Sequence, residues 1–205
     1  MGIEEKLNKT RLAAAKVHIT DYVAGMKEAL SSLPVDAIAQ LVEMMLSAYE
    51  RGAGIFIMGN GGSAATASHI VVDINKGVSY GLEKRFKMIC LNDNVPSVMA
   101  YANDLSYEDI FVEQLKNFLE PRDLVIGISG SGNSQNVLKA IAYANRTGAA
   151  TVGLSGFDGG KLATIANLPV VVRVFDMQKS EDLHMMIGHI MMQFLAERLH
   201  SLNDD

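Results

Sequence analysis

The chain has 205 residues, of which 49% are hydrophobic and 20% charged, a composition that excludes a disordered chain and fits one domain with a helical extension. Its 18 Lys and Arg against 23 Asp and Glu give a net charge of −5, which argues against the broad basic face of a nucleic-acid-binding protein. The single cysteine excludes a disulfide framework and a cysteine-based zinc site.

Neither an export signal nor a membrane span is predicted. The N-terminal segment MGIEEKLNKT is polar and acidic, unlike a signal peptide. The longest apolar runs are far shorter than the ~20 residues that a membrane helix needs. We therefore expect a soluble, cytoplasmic protein.

Two helices are predicted ahead of the first strand. Apolar residues recur at helical spacing over residues 3–30 and again over residues 35–51, with Ser32 and Pro34 between them. Glycines at 52 and 54 end the second helix.

The remaining chain alternates strands with helices, which predicts a parallel sheet covered on both faces. Short apolar runs predict strands at 55–59, 88–92, 124–129, 150–155 and 168–174. Helical patterns cover 63–75, 95–102, 107–119, 134–147, 159–165 and 179–200. The polar stretch 77–85 is predicted to be a loop, and 201–205 a short tail.

Two glycine- and serine-rich loops, MGNGGSA (58–64) and ISGSGNS (128–134), each follow a strand and open a helix. Glycine lets the backbone approach an anion, and a helix N-terminus aims free N–H groups at it. Ser63, Ser129, Ser131 and Ser134 add hydroxyl donors, so the loops together predict a phosphate pocket. The alternative is that these residues only make tight turns and helix caps.

The first loop also fits the dinucleotide pattern G-x-G-x-x-A. That interpretation needs an acidic residue about 20 residues further on. Asp93 lies about 30 residues past the loop, and the second loop would be left unexplained. No nucleotide cofactor is therefore expected.

Four further residues are candidates for acid–base or metal chemistry. His69 and Asp73 are spaced i, i+4 and share one helix face. Glu181 and His189 are eight residues apart, about 12 Å along a helix, whereas two ligands on one zinc ion lie about 4 Å apart. Either the last helix begins after Glu181, or the two residues serve one site from different subunits. We favour the second, because that helix is apolar nearly all round and must be covered on most sides.

Two other residues are interpreted as structural. His184 is expected to cap or pack, and Cys90, in an apolar strand, to be a buried small hydrophobe.

These motifs resemble those of the phosphoheptose isomerases, members of the sugar isomerase (SIS) domain family. The resemblance is carried by GNGGSA followed by His69, by ISGSGNS, by LSGFDGGKL (154–162) and by the Glu-x-x-His-x-x-x-x-His helix that starts at Glu181. It implies a flavodoxin-like three-layer α/β sandwich with a five-stranded parallel sheet, an N-terminal helical pair and a homotetramer. It also implies conversion of sedoheptulose 7-phosphate to D-glycero-D-manno-heptose 7-phosphate, a precursor of surface heptose.

The resemblance assigns roles to residues and boundaries to domains. Residues 1–52 would be N-terminal helices packing on the core and the oligomer, and residues 53–200 the SIS domain. Phosphate contacts would fall on Ser129, Gly130, Ser131 and Ser134. Sugar contacts would fall on Asn60, Gly61, Gly62, Asn103 and Asp104, with Ser63 and Glu181 close to the substrate. A Zn²⁺ or other divalent ion would be held by His69, Asp73, Glu181 and His189.

Two of these positions depart from the family, which has Glu where Asp73 stands and Gln where Glu181 stands. The aspartate is shorter by about 1.5 Å, which reduces its reach to the substrate. With these residues we expect an aldose–ketose isomerase in which Asp73 moves the proton and His189 is the partner acid or base. The alternative is a non-catalytic SIS domain that senses a sugar phosphate or binds a regulatory partner.

Overall fold

The computed structural model describes residues 3–201, and residues 202–205 of the predicted tail lie outside them. Contacts along the chain form two units, one ending at Leu33 and one beginning at Pro34. Helix α1 (Ile3–Ser31) makes up all but the last two residues of the described part of the first unit. The second unit starts with α2 (Val35–Arg51), which stops at Gly52 with a left-handed φ of 64°. The amide N–H of Ala53 donates to Ala48 there, as in a glycine-terminated helix.

The second unit is built on a parallel five-stranded sheet. Its strands are β1 (Gly54–Met58), β2 (Lys87–Cys90), β3 (Leu124–Ser129), β4 (Ala150–Ser155) and β5 (Leu168–Val171). Their spatial order is β2-β1-β3-β4-β5. This is the flavodoxin-like order, so the fold class predicted from the sequence is confirmed.

Helices cover both faces of the sheet. The further helices are α3 (Gly62–Val72), α4 (Val95–Asp104), α5 (Val112–Phe118), α6 (Gln135–Thr147), α7 (Gly160–Ile165) and α8 (Met177–Ser201). One face carries α5, α6 and α7, and the other carries α2, α3 and α8. Gly127 of β3 lets α6 come close, since a Cβ there would lie 2.7 Å from Val137 Cγ1. The resulting three layers leave the carboxyl ends of the strands free for a site.

The structure corrects two predictions about the segment after α3. The helix changes at residue 73 into a π-helix (Asp73–Val78), so the loop predicted at 77–85 begins later. Ser79 ends this wider turn, because both its N–H and its hydroxyl donate to the carbonyl of Ile74, five residues back. The hydroxyl also accepts from the amide of Phe86 and is fully buried.

Other elements also differ from the sequence pattern, most of them by one or two residues at an end. Residues 107–119 form a 3₁₀ turn (Tyr107–Asp109) followed by α5 instead of one helix, and β5 ends at Val171 instead of 174. Helix α8 runs unbroken through Glu181 and His189, which excludes the alternative that it begins after Glu181.

No single helix within residues 3–201 is long and apolar enough to cross a membrane. Residues 8–31 of α1 and 35–51 of α2 reach the necessary length and apolar composition only when they are counted together.

Candidate functional site

The two glycine- and serine-rich loops lie side by side at one edge of the sheet. They follow β1 and β3, which are hydrogen-bonded neighbours with Met58 opposite Gly127. A reciprocal amide pair joins the loops, because Asn60 and Asn136 each donate to the other's side-chain oxygen at 2.9 Å. Whatever the first loop binds therefore lies next to the second.

The second loop brings the predicted phosphate-binding residues into one tight turn. The hydroxyls of Ser129 and Ser134 lie 2.9 Å apart, and the amide of Gly132 donates to the carbonyl of Ser129. Ser134 occupies the N-cap of α6, yet its hydroxyl makes no cap hydrogen bond. The turn also depends on Gly132, whose φ of 68° is left-handed. Serine hydroxyls and the free N–H groups of α6 thus converge on one small volume, which suits an anion.

The neighbouring residues of this turn have different exposures. Gly130 is buried and its carbonyl accepts from Gly156, which fixes the base of the turn. The hydroxyl of Ser131 accepts from the amide of Asn133 at 3.2 Å on the exposed side. Ser63, in contrast, is 4% exposed and packs against Gly59 in the first loop.

Three candidate ligands meet at the start of the π-helix. The Nε2 atoms of His69 and His189 are 3.1 Å apart, and they lie 3.3 and 3.7 Å from Asp73 Oδ2. His69 comes from the end of α3 and His189 from α8. These helices approach closely at Gly188, where a Cβ would lie 2.7 Å from Ile70. The structure therefore gathers three of the four predicted metal-binding residues within one chain.

The electrostatics of this cluster favour a cation. Asp73 Oδ2 is buried and accepts no hydrogen bond from the described residues, so the two nearby imidazole nitrogens are the groups that face its negative charge. The two imidazole side chains are 44% and 46% exposed, so the cluster is open on one side. One ligand atom from each of the three residues falls within 4.8 Å of the others. Two imidazole nitrogens and one carboxylate oxygen with an open side form a donor set that Zn²⁺ accepts.

Glu181 of the same chain is not part of this cluster. Within residues 3–201 the grouped ligands are His69, Asp73 and His189. The carboxylate of Glu181 lies instead against Gly62 at the first turn of α3, where any Cβ would collide with it. A position next to a helix N-terminus is favourable for a negative charge.

The predicted sugar-binding residues lie around the first loop and at the end of α4. Gly61 has a left-handed φ of 53° and is exposed, with nothing within 4 Å of the position of a Cβ. Asn103 and Asp104 end α4, where the amide of Asn103 donates to the Asp104 carboxylate at 2.8 Å.

Sequence reasoning missed two residues that contact this site, Tyr107 and Asn136. The Tyr107 hydroxyl donates to Asn60 Oδ1 at 2.9 Å, and Asn136 pairs with the same amide. Asn136 stands two residues after Ser134, so the second loop carried a signal that could have found it. Tyr107 follows an irregular turn and has no sequence pattern to mark it.

Both residues interpreted as structural are buried as expected. His184 is 1% exposed, and burial lowers its pKa from 6.5 to about 4. Cys90 is 5% exposed, and burial raises the pKa of its thiol. The imidazole is therefore neutral and the thiol protonated near pH 7.

Comparison with known proteins identifies relatives over most of the chain. The SIS domain family model matches residues 19–156. A phosphoheptose isomerase of Geotalea daltonii is 38% identical over 169 residues, which span 79% of this chain and 84% of the relative. One from Helicobacter pylori strain 26695 is 33% identical over 188 residues, 91% of this chain and 93% of the relative. The structure of a phosphoheptose isomerase from Neisseria gonorrhoeae superposes with a TM-score of 0.81 at 26% identity, covering 92% of this chain and 98% of the other.

Proposed function

We propose that this chain, which belongs to the phosphoheptose isomerases of the SIS domain family, converts sedoheptulose 7-phosphate to D-glycero-D-manno-heptose 7-phosphate. The family model and the relatives confirm the family predicted from the sequence motifs, and they confirm that the chain is a sugar phosphate isomerase. The heptose as substrate, and a role in making precursors of surface heptose, belong to the proposal.

The observation that carries the proposal is the cluster of His69, Asp73 and His189, which lies where the end of α3 packs against α8. An aldose–ketose isomerisation needs a phosphate anchor, a base that moves one proton between adjacent carbons, and an acid near the two oxygens. The second loop offers the anchor, and the cluster offers a carboxylate beside two imidazoles.

The anchor would act by positioning. Ser129, Ser131 and Ser134 donate hydroxyl hydrogen bonds to the phosphate, and the first N–H groups of α6 add to them. Fixing one end of an extended sugar phosphate holds its carbonyl end in place, which can lower the barrier by several kcal/mol. The amides of Asn60 and Asn103 and the carboxylate of Asp104 would contact the oxygen atoms of the sugar.

Asp73 would move the proton. Its carboxylate takes the proton from the carbon next to the ketone, while His189 protonates the ketone oxygen to give an enediol. Asp73 then returns a proton to the former carbonyl carbon, and the hydroxyl proton of the neighbouring carbon goes to His189. The products are the aldose and the original protonation states, so atoms and charges balance.

A divalent ion, when bound, would polarise the carbonyl and stabilise the enediolate. His69, Asp73 and His189 fit it, and Glu181 would join from a second copy of the chain, since the same chain's Glu181 lies against Gly62. A homotetramer, a cytoplasmic location and the division into helices (1–52) and SIS domain (53–200) stay predictions.

Turnover of sedoheptulose 7-phosphate by the wild type and by Asp73→Asn tests the proposal. We expect the wild type to form the aldose and Asp73→Asn to lose at least about a hundredfold in kcat, because the amide cannot accept the proton. Full activity in Asp73→Asn would contradict the assignment of the base. Stabilisation of the wild type by the sugar phosphate without turnover would instead favour the sensor.

A further inference from the structure

We propose that Asn136 and Tyr107 are positioning residues that fix the side-chain amide of Asn60 so that it can only donate a hydrogen bond to the substrate. The inference rests on the proposed function, because Asn60 is one of the residues expected to contact the sugar. It goes further by giving that residue a defined chemical role and by naming two residues to which no role has been assigned.

The orientation of the amides is set by the backbone. Asn136 Oδ1 accepts from the amide N–H of Val137 at 2.9 Å. This N–H is one of the first in α6, which lack a partner inside the helix, and it can only donate. Asn136 must therefore turn its oxygen, and not its NH₂ group, toward Val137.

The orientation of Asn60 follows from that of Asn136. With the Asn136 oxygen fixed, the NH₂ group of Asn60 lies opposite that oxygen, and the Asn60 oxygen faces the NH₂ group of Asn136, both at 2.9 Å. The Tyr107 hydroxyl then donates to the same Asn60 oxygen at 2.9 Å. The backbone N–H of Val137 thus fixes which atom donates and which accepts in each hydrogen bond of this series.

Counting the hydrogen-bonding capacity of Asn60 gives the chemical result. Its oxygen has two lone pairs, and Asn136 and Tyr107 each use one. One of its two N–H groups is bound to Asn136, and none of the described residues accepts from the other. Asn60 thus offers a ligand one N–H donor and no acceptor, which suits a carbonyl or enediolate oxygen of the sugar.

The arrangement connects three segments of the site. Asn60 belongs to the first loop, Asn136 to the helix that follows the second loop, and Tyr107 comes three residues after Asp104. Asn136 is 2% exposed, whereas Tyr107 is 58% exposed. Removal of the Tyr107 hydroxyl is therefore expected to leave the fold intact, while Asn136→Ala also affects folding.

The decisive experiment is a double-mutant cycle of Tyr107→Phe and Asn60→Ala, with kcat and KM measured for sedoheptulose 7-phosphate. Loss of one hydrogen bond predicts that Tyr107→Phe lowers kcat/KM about fivefold, and that it changes nothing further in the Asn60→Ala background. The inhibition constant of inorganic phosphate should be unchanged in every variant, because the second loop keeps its own contacts. Tyr49→Phe is the matched control, since that hydroxyl donates to Lys84 in a distant part of the chain.

Three results would overturn the inference. Tyr107→Phe could leave kcat/KM unchanged, or it could lower kcat/KM equally in the wild-type and the Asn60→Ala backgrounds. It could also weaken inhibition by inorganic phosphate by the same factor by which it lowers kcat/KM. If the wild type does not turn over the sugar phosphate, the proposed function fails on its own. The same cycle is then measured as the rise in Tm caused by sedoheptulose 7-phosphate beyond that caused by inorganic phosphate. If Tyr107→Phe reduces this extra rise in Tm only when Asn60 is present, the inference is supported. If all variants show the same extra rise, the inference is overturned.

Discussion

The Nε2 atoms of His69 and His189 lie 3.1 Å apart, although 120 positions separate the two residues in the sequence. The close approach of α3 and α8 at Gly188 makes this possible, because any side chain there would collide with Ile70. At this distance one imidazole donates to the other, or both face one cation. The open side of the cluster leaves room for either a ligand or an ion.

The first prediction concerns metal binding. We expect the purified wild type to retain about one Zn²⁺ per chain after dialysis, and His69→Ala and His189→Ala to bind it at least about tenfold more weakly, because each loses one ligand. Metal analysis and zinc-dependent thermal stabilisation measure this without any assay of activity. His18→Ala, an exposed histidine in α1, is the control. Equal zinc content in all four proteins would rule out the cluster as the metal site.

The second prediction concerns the origin of Glu181. Helix α8 is continuous, so the eight residues from Glu181 to His189 span about 12 Å, and the two cannot reach one ion from the same chain. If a second copy supplies Glu181, a mixture of Glu181→Ala and His189→Ala chains, unfolded and refolded together, should regain about a quarter of wild-type activity, as random pairing of subunits requires.

The matched control for this mixture is a mixture of Asp73→Asn with His189→Ala. Both residues lie in the cluster of one chain, so no pairing of subunits restores a complete cluster. Recovery in both mixtures, or in neither, would contradict a site shared in this way.

The sheet could be predicted from the sequence because its signals are local. Residues 124–129 and 150–155 form strands with the predicted bounds, since both are buried on two faces and carry continuous apolar runs. Helix α2 likewise begins after Pro34 and ends at Gly52. In each case the residues that define the element and its ends lie within or next to the element itself.

The parts that could not be predicted depend on distant contacts. The π-helix after α3 ends where the Ser79 hydroxyl is buried between Ile74 and Phe86, a contact that no periodicity encodes. The hydrogen bond from Tyr107 to Asn60 joins residues 47 positions apart, and Tyr107 follows an irregular turn. The meeting of His189 with Asp73 likewise depends on how α8 packs on α3.

The third prediction concerns pH and His184. Burial lowers its pKa from 6.5 to about 4, so between these values the unfolded chain binds a proton that the folded chain does not. The free energy of unfolding is therefore unaffected by this group above pH 6.5. It falls as the pH drops from 6.5 toward 4, by roughly 3 kcal/mol in all.

Denaturant unfolding at several pH values measures this effect as the difference between the wild type and His184→Gln, which cannot titrate. The free energy of unfolding of the wild type should decline more steeply below pH 6.5 than that of the variant. Parallel curves for the wild type and His184→Gln would show that His184 does not titrate as its burial requires.

The last prediction concerns the contact between β3 and α6, which sets the position of the second loop. A Cβ at Gly127 would lie 2.7 Å from Val137 and 3.2 Å from Ile141, both fully buried, so neither side chain has free space to move into. Gly127→Ala should therefore lower the free energy of unfolding by about 1–3 kcal/mol. Gly77→Ala is the control, because its Cβ would find Met192 at an ordinary 3.7 Å. Because the start of α6 carries Ser134 and Asn136, we expect Gly127→Ala also to weaken inhibition by inorganic phosphate. If Gly127→Ala were as stable as the wild type, α6 would be able to shift freely on the sheet, which would contradict the prediction.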